Sequence, residues 1–218
     1  MSAALTLKAA SAIAGSLGKP SKMPGYAYGI PAKLCKLGGL LQAVKNSVCA
    51  GCYALGANYQ YPSVKISQQR RFESLGHPRW VDAMVHLIGT RCGKLGVPYF
   101  RWHDSGDLQS AFPHLARIAE VCRRLPDIKF WLPTRERAMV LEYLRVDSFP
   151  ENLSVRLSAT MLDRLPVNVP DGCTGSMVRS HESPAVGTYT CPAPRQDGHC
   201  GDCRACWTST PTVSYHKH

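Results

Sequence analysis

Eight of the ten cysteines in this 218-residue chain stand in loop-like sequence near its two ends, where thiols serve chemistry better than packing. Towards the C-terminus, Cys200-Gly-Asp-Cys203-Arg-Ala-Cys206 repeats a thiol at every third residue, with Cys191-Pro192 upstream. A Cys-x2-Cys-x2-Cys run with a remote Cys-Pro is how ferredoxin-type chains wrap a [4Fe–4S] cluster, because one tight turn aims neighbouring thiolates at a common centre. Zinc also takes Cys-x2-Cys pairs, closed by a second pair elsewhere, and is the alternative. The third thiol at the same spacing tips the reading to iron–sulfur. Towards the N-terminus stand Cys35 and then Cys49-Ala-Gly-Cys52-Tyr53-Ala54. Three thiols ahead of a β/α series suggest a cluster with one iron open to a substrate or cofactor. Cys173 reads as a missing ligand or a spare thiol. Two clusters, or one cluster shared by both ends, are both compatible with this arithmetic. Cys92 and Cys122 fall on apolar helix faces and read as core residues.

The second set of candidates is Arg101-Trp102-His103-Asp104-Ser105-Gly106-Asp107 at a predicted strand end. His103, Asp104, Ser105 and Asp107 offer a general base, carboxylates and a hydroxyl for catalysis. Arg101, Gly106 and Tyr53 are candidates for holding a cofactor. The same turn also reads as a helix cap, with Asp107 at the N-cap. Arg135 and Glu136 read as a helix-start charge pair. No nucleophile elbow, P-loop or dinucleotide fingerprint is present. His77, His86, His114, His181 and His199 read as surface residues, and His216 and His218 as a polar tail.

The elements that must position these groups are clearest in the middle of the chain. Residues 79–94 place Val81, Met84, Val85, Ile88 and Cys92 on one helical face, ended by Gly93 and Gly96. Residues 97–102 form a strand. A helix over 110–125, a strand at 128–132, a helix over 135–146 with Thr134 as its cap, and a strand at 153–158 follow. Crossovers of this length imply parallel strands with helices packed outside. The expected fold is therefore α/β, a single domain built as a partial (β/α) barrel or an open parallel sheet. It has a Cys-rich N-terminal segment at 19–60, a core at 61–165 and a Cys-rich C-terminal segment at 166–218, which shows little periodicity. In such folds ligands bind at the carboxyl ends of strands. The first 18 residues read as a poorly ordered arm or a peripheral strand.

Composition excludes a disordered polymer: 44% of residues are hydrophobic and 19% charged. No apolar run approaches the roughly 18–20 residues of a membrane span, so no membrane partner is expected. Reading the opening segment as an arm and not a cleaved signal suggests a reducing, cytoplasmic setting, in which thiols bind metal rather than pair. The net charge of +11 points to acidic partners, nucleic acid among them, although the basic residues are scattered and form no run of five.

The landmarks Lys22-Met-Pro-Gly25, Cys49-Ala-Gly-Cys52-Tyr-Ala54, the His103–Asp107 turn, Cys191-Pro192 and Cys200–Trp207 resemble the phage "gene product 88" domain family over nearly the whole chain. That resemblance implies a bacteriophage protein working in the host cytoplasm. A weaker, architectural likeness is to radical S-adenosylmethionine enzymes. It would place S-adenosylmethionine on an open iron beside Ser105-Gly106-Asp107, although thirteen residues separate Cys35 from Cys49 here. The expected function is an iron–sulfur enzyme of redox or radical type acting on a small molecule or a redox partner. The alternatives are a non-catalytic electron carrier or redox sensor, and a zinc-containing nucleic-acid-binding protein.

Overall fold

In a computed structural model the chain is described over residues 5–180 and 186–217, so His181 and His218 lie outside the described residues. Thirteen named elements carry the argument: α1 Leu7–Ala14, β1 Tyr26–Tyr28, α2 Lys36–Leu41, α3 Pro62–Ser74, α4 Trp80–Leu95, β2 Tyr99–Trp102, α5 Ala116–Arg123, β3 Lys129–Thr134, α6 Arg137–Leu144, β4 Leu153–Ser158, β5 Thr174–Arg179, β6 Tyr189–Thr190 and β7 Thr212–His216. The strands form one open sheet in the order β1-β2-β3-β4-β5-β7-β6, with every pairing parallel.

From β1 to β5 the order runs in one direction. Right-handed crossovers that never reverse put their helices on one face of the sheet. The strand residues record this. Phe100 and Trp102 of β2, Phe130 and Leu132 of β3, and Leu153, Val155 and Leu157 of β4 share a core with the buried faces of α1, α4, α5 and α6. Tyr99 of β2, Trp131 of β3 and Tyr215 of β7 point the other way, into a smaller cluster with Met23, Cys206 and Trp207. The Cys-rich chain between β6 and β7 thus covers the face that carries no helices. Trp207 pins it there, donating its Nε1–H to the Phe100 carbonyl at 2.9 Å.

The α/β expectation holds, as an open seven-stranded sheet. Helix α4 lies where its periodicity placed it and ends at Gly96 alone, whose φ of 64° lets its N–H reach the Cys92 and Gly93 carbonyls. Gly93 is simply part of the helix.

Three local expectations differ. The N-terminal arm is a helix: Thr6 caps it by accepting from the Ala9 N–H, and Ala10 and Ala14 are buried. Small side chains allow that close approach, which an apolar pattern of large residues would not reveal. The helix predicted from 110 starts at Ala116, because Phe112 precedes Pro113 and is held extended (φ −125°, ψ 126°). The unpatterned C-terminal segment carries β5, β6 and β7. Strands buried on both faces lose the polar–apolar alternation that marks half-buried ones.

Candidate functional site

The chain leaves the carboxyl end of β1 into a long loop that holds Cys35, Cys49 and Cys52, and folds across the carboxyl ends of its neighbours. Ser47 and Met161 form an antiparallel bridge, and Val48 donates its N–H to the Thr160 carbonyl just beyond β4 at 2.9 Å. At the end of β3, Glu136 accepts the Leu37 N–H at 2.8 Å and so fastens α2 to the sheet. Glu136 is therefore a clamp on the cysteine loop and not half of a charge pair with Arg135, since the two ion pairs among the described residues are Arg123–Asp147 and Arg124–Asp82.

The three thiols of this loop share one neighbourhood. Burial pushes the Cys35 thiol up to about 12, helped by Asp107, Cys52 and Cys49 and opposed by Arg135. Cys49 is raised by burial too, again against Arg135. Gly38 packs closely against two of these thiols. A methyl group on that residue would stand 3.6 Å from Cys49 Sγ, 3.7 Å from Cys35 Sγ and 3.0 Å from Cys35 Cβ. The Arg135 Nε–H is buried without a hydrogen-bond partner.

The His103–Asp107 turn follows β2 beside this loop. Asp107 is buried, accepts from the Thr134 hydroxyl and from the Leu108 and Arg135 N–H groups at 2.6–2.9 Å, and is raised by burial. It ties the end of β3 to the end of β2. Thr134 joins this network by accepting from the Glu136 N–H at 3.0 Å, at the end of a strand and not as a helix N-cap. Ser105 is buried between the Ile30 carbonyl, to which it donates, and the Gln68 amide. His103 is 2% exposed, and burial lowers it to about 4, so its ring is neutral around pH 7. Its Nδ1 bonds the Tyr28 carbonyl at 3.0 Å, while its Nε2 has no partner. Gly106 has φ 78°, and a side chain there would strike Ile30. Asp104 is the most open member: its carbonyl accepts from Tyr53 and Tyr59, while its buried Oδ1 has no partner. Tyr53 also accepts from Arg101 Nη2 at 3.3 Å.

The second group of thiols lies on the helix-free face of the sheet. Cys191 follows β6 directly, and Cys200, Cys203 and Cys206 lie on the way to β7. Cys191 and Cys203 both bear on the Cys200 thiol, which burial raises, and Cys191 bears on Cys206, which burial pushes up to about 12. Tyr189 and Tyr215 contact Cys203 and Cys206 at 3.3 and 3.1 Å between oxygen and sulfur. Two guanidinium groups stand alongside. Arg101 lies over the Trp131 ring, 4.4 Å from its centroid. Arg156 is 0% exposed and donates to four carbonyls, those of Gly175, Ala205, Thr208 and Thr210. Each keeps a buried Nε–H without a partner, as does the Trp131 indole.

The eight loop cysteines thus divide. Cys35, Cys49 and Cys52 gather at the strand ends, and Cys191, Cys200, Cys203 and Cys206 gather on the sheet face. Cys173 joins neither group; it packs against the main core, and burial alone raises it to about 11. Cys92 and Cys122 are core residues, as expected. His114, expected at the surface, is buried and edge-on to Trp80, because the segment before α5 turns inward. All ten cysteines are free. Among the described residues, no three His, Cys, Asp or Glu side chains are drawn close enough to hold a single metal ion. Sequence reasoning passed over Arg156, and took Arg135 only as a charge partner of Glu136. For Arg156 the signal was present: an arginine in the middle of an apolar strand, Leu-Ser-Val-Arg-Leu, must be buried and must find acceptors.

The model of the family described as Gene product 88 matches residues 3–209. The chain belongs to the Gene product 88 family. No curated protein and no solved structure matches it, so the architectural likeness to radical S-adenosylmethionine enzymes finds no support among known folds. No helix of this Gene product 88 chain, among the described residues, is long and apolar enough to cross a membrane.

Proposed function

We propose that this chain is an iron–sulfur protein with two clusters. Cys191, Cys200, Cys203 and Cys206 would hold a closed cluster on the sheet face. Cys35, Cys49 and Cys52 would hold an open one at the strand ends. The observation that carries the reading is the pairing of each free-thiol group with buried guanidinium N–H groups that lack an acceptor, Arg135 at the first, Arg101 and Arg156 at the second. Buried N–H donors without an acceptor are costly. A thiolate-ligated cluster is an anion that would satisfy them, and its sulfurs accept hydrogen bonds.

A bound cluster supplies one-electron chemistry, and an iron lacking a thiolate supplies a coordination position. The residues of this chain then have separate tasks. Asp104 holds Tyr53 and Tyr59 beside the loop of the open group through its carbonyl. His103, neutral and buried, and Asp107 and Ser105, fully bonded, hold the turn in shape. The reading is thus a redox or radical-type enzyme on a small molecule, with S-adenosylmethionine one candidate for the open iron.

The test is iron, sulfide and zinc analysis with electron paramagnetic resonance on anaerobically purified protein, repeated on Cys52→Ala and Cys203→Ala. Brown protein with about eight irons per chain is expected, each variant losing a different half. Colourless, zinc-loaded protein overturns the proposal. Loss of one and the same signal in both variants shows a single shared cluster. A spectrum indifferent to S-adenosylmethionine and other small ligands marks an electron carrier instead.

A further inference from the structure

The basic residues of this chain are scattered, but its acids are not, so the net positive charge is concentrated at one end. The first 72 residues contain no Asp or Glu and nine of the 26 Lys and Arg, whereas the remainder sets 17 basic residues against all 15 acids. The fold gathers part of this acid-free segment around a cavity of about 790 Å³, bounded by Pro31–Lys33, the turns from Ala54 to Gln60 and the outer side of α3. Lys33, Lys65 and Arg70 line it, against one acid, Glu73, which is engaged by the Gln69 amide at 2.9 Å. The walls also present the Gln60 and Gln68 amides and the Tyr59 ring, with Ala54, Leu55 and Ile66 as apolar surface. Tyr53 packs on Tyr59 with ring centroids 5.7 Å apart and is 50% exposed; Tyr61, at the start of α3, is 59% exposed.

Cations that are not neutralised locally attract phosphate. Exposed phenol rings offer a stacking surface to a base, and carboxamides match the donor and acceptor edges of bases. The volume lies within the range of small-ligand sites and exceeds what inorganic phosphate fills. A concave site suits an unstacked nucleotide and not a duplex, whose grooves are read by protruding elements.

We propose that this cavity binds a nucleoside phosphate, either a free nucleotide or one unit of a single nucleic-acid strand, with Lys33, Lys65 and Arg70 on the phosphate and the Tyr59 ring, with Tyr53 packed on it, on the base. The proposal stands on charge and shape and does not need the thiols to carry iron. The cavity does lie against the loop of the open thiol group, since Ala54 follows Cys52 closely and Lys33 precedes Cys35.

Fluorescence anisotropy on the full-length, anaerobically purified chain tests it. The probe is a labelled single-stranded oligothymidylate of roughly twenty nucleotides, competed with AMP and with inorganic phosphate. At about 50 mM salt the strand binds, and the log–log salt slope is about −2, as three cations on a single strand require. The Lys65→Ala/Arg70→Ala double variant binds about tenfold more weakly, with the slope shallower by about 1.4. Arg91→Ala/Lys94→Ala, on the exposed part of α4, stays within about twofold of the unaltered chain under the same salt. AMP competing at the strand's own affinity identifies the free nucleotide as ligand; competition by the strand alone identifies the polymer. Absence of binding by the strand and, in a direct titration, by fluorescently labelled AMP, equal competition by inorganic phosphate, or equal loss in the α4 control overturns the proposal. Iron content, measured on the same samples, reports on the cluster reading separately.

Discussion

Replacing Arg156 by Met removes a buried cation while nearly conserving volume, and the structure permits the consequence to be worked out. The guanidinium donates to Gly175 and Thr210 from one nitrogen at 2.7 and 3.0 Å, and to Ala205 and Thr208 from the other at 2.9 and 3.2 Å. These bonds tie β4 to β5 and to the segment that carries Cys206 and Trp207. A hydrogen bond from a charged donor is worth about 1.5–3 kcal/mol, so four represent roughly 6–12 kcal/mol gross. Against this, the substitution recovers the several kcal/mol spent on burying the charge. The net loss expected is about 3–5 kcal/mol, the usual range when one partner leaves a buried charged network. For a chain of this size that lowers Tm by roughly 6–20 °C. Thermal unfolding of metal-free protein, followed by circular dichroism, measures it. Arg156→Lys, which keeps the charge but reaches fewer carbonyls from one point, falls between. A Tm for Arg156→Met within about 2 °C of the unaltered chain refutes the clamp. With iron supplied, the same variant loses the signal that Cys203→Ala loses and keeps the one that depends on Cys52.

Two further outcomes follow from the thiol groups. Gly38→Ala adds a methyl group 3.0 Å from Cys35 Cβ and against two sulfurs; the helix gains about 1 kcal/mol of propensity, yet the N-terminal group no longer closes on a cluster. Iron analysis should show about half the iron lost while the fold is retained, and full iron content contradicts the placement of a cluster against Gly38. In metal-free protein, burial raises Cys35 and Cys206 to about 12 from 9.0. The folded state then holds protons that the unfolded chain releases, so this contribution to stability is complete below pH 9 and drains away as pH rises towards 12. Urea midpoints should fall steadily over that window and flatten in Cys35→Ser/Cys206→Ser. A midpoint independent of pH there shows the thiols to be solvated.

Much of the candidate site was legible because its chemistry is local. Cys200, Cys203 and Cys206 lie within one loop, so their spacing alone brings them near one another. Strand β4 was placed at its observed bounds and α4 within a residue of them, since a period of 3.6 and a β-rich apolar run are properties of short stretches. The turn at His103–Asp107 was found where it lies. Its reading as a set of catalytic groups rested on residue type, whereas the structure gives Ser105 and Asp107 to the Ile30, Gln68, Thr134 and Arg135 contacts. Those partners are 27 to 75 residues distant in the chain, and no spacing rule reaches that far.

The amino-acid order by itself determined the α/β class, the membership of a family, the two clusters of thiols along the chain and an acid-free first third. All of these are matters of composition, periodicity and short-range spacing. Only the tertiary structure decided that the thiols form two groups, one at the strand ends and one on the helix-free face, that Cys173 belongs to neither, and that Arg101, Arg135 and Arg156 stand beside them with unmatched N–H groups. Parallel strands bring together residues that a crossover has separated. Which of them meet depends on the order and register of the sheet, and these emerge from the packing of the whole chain.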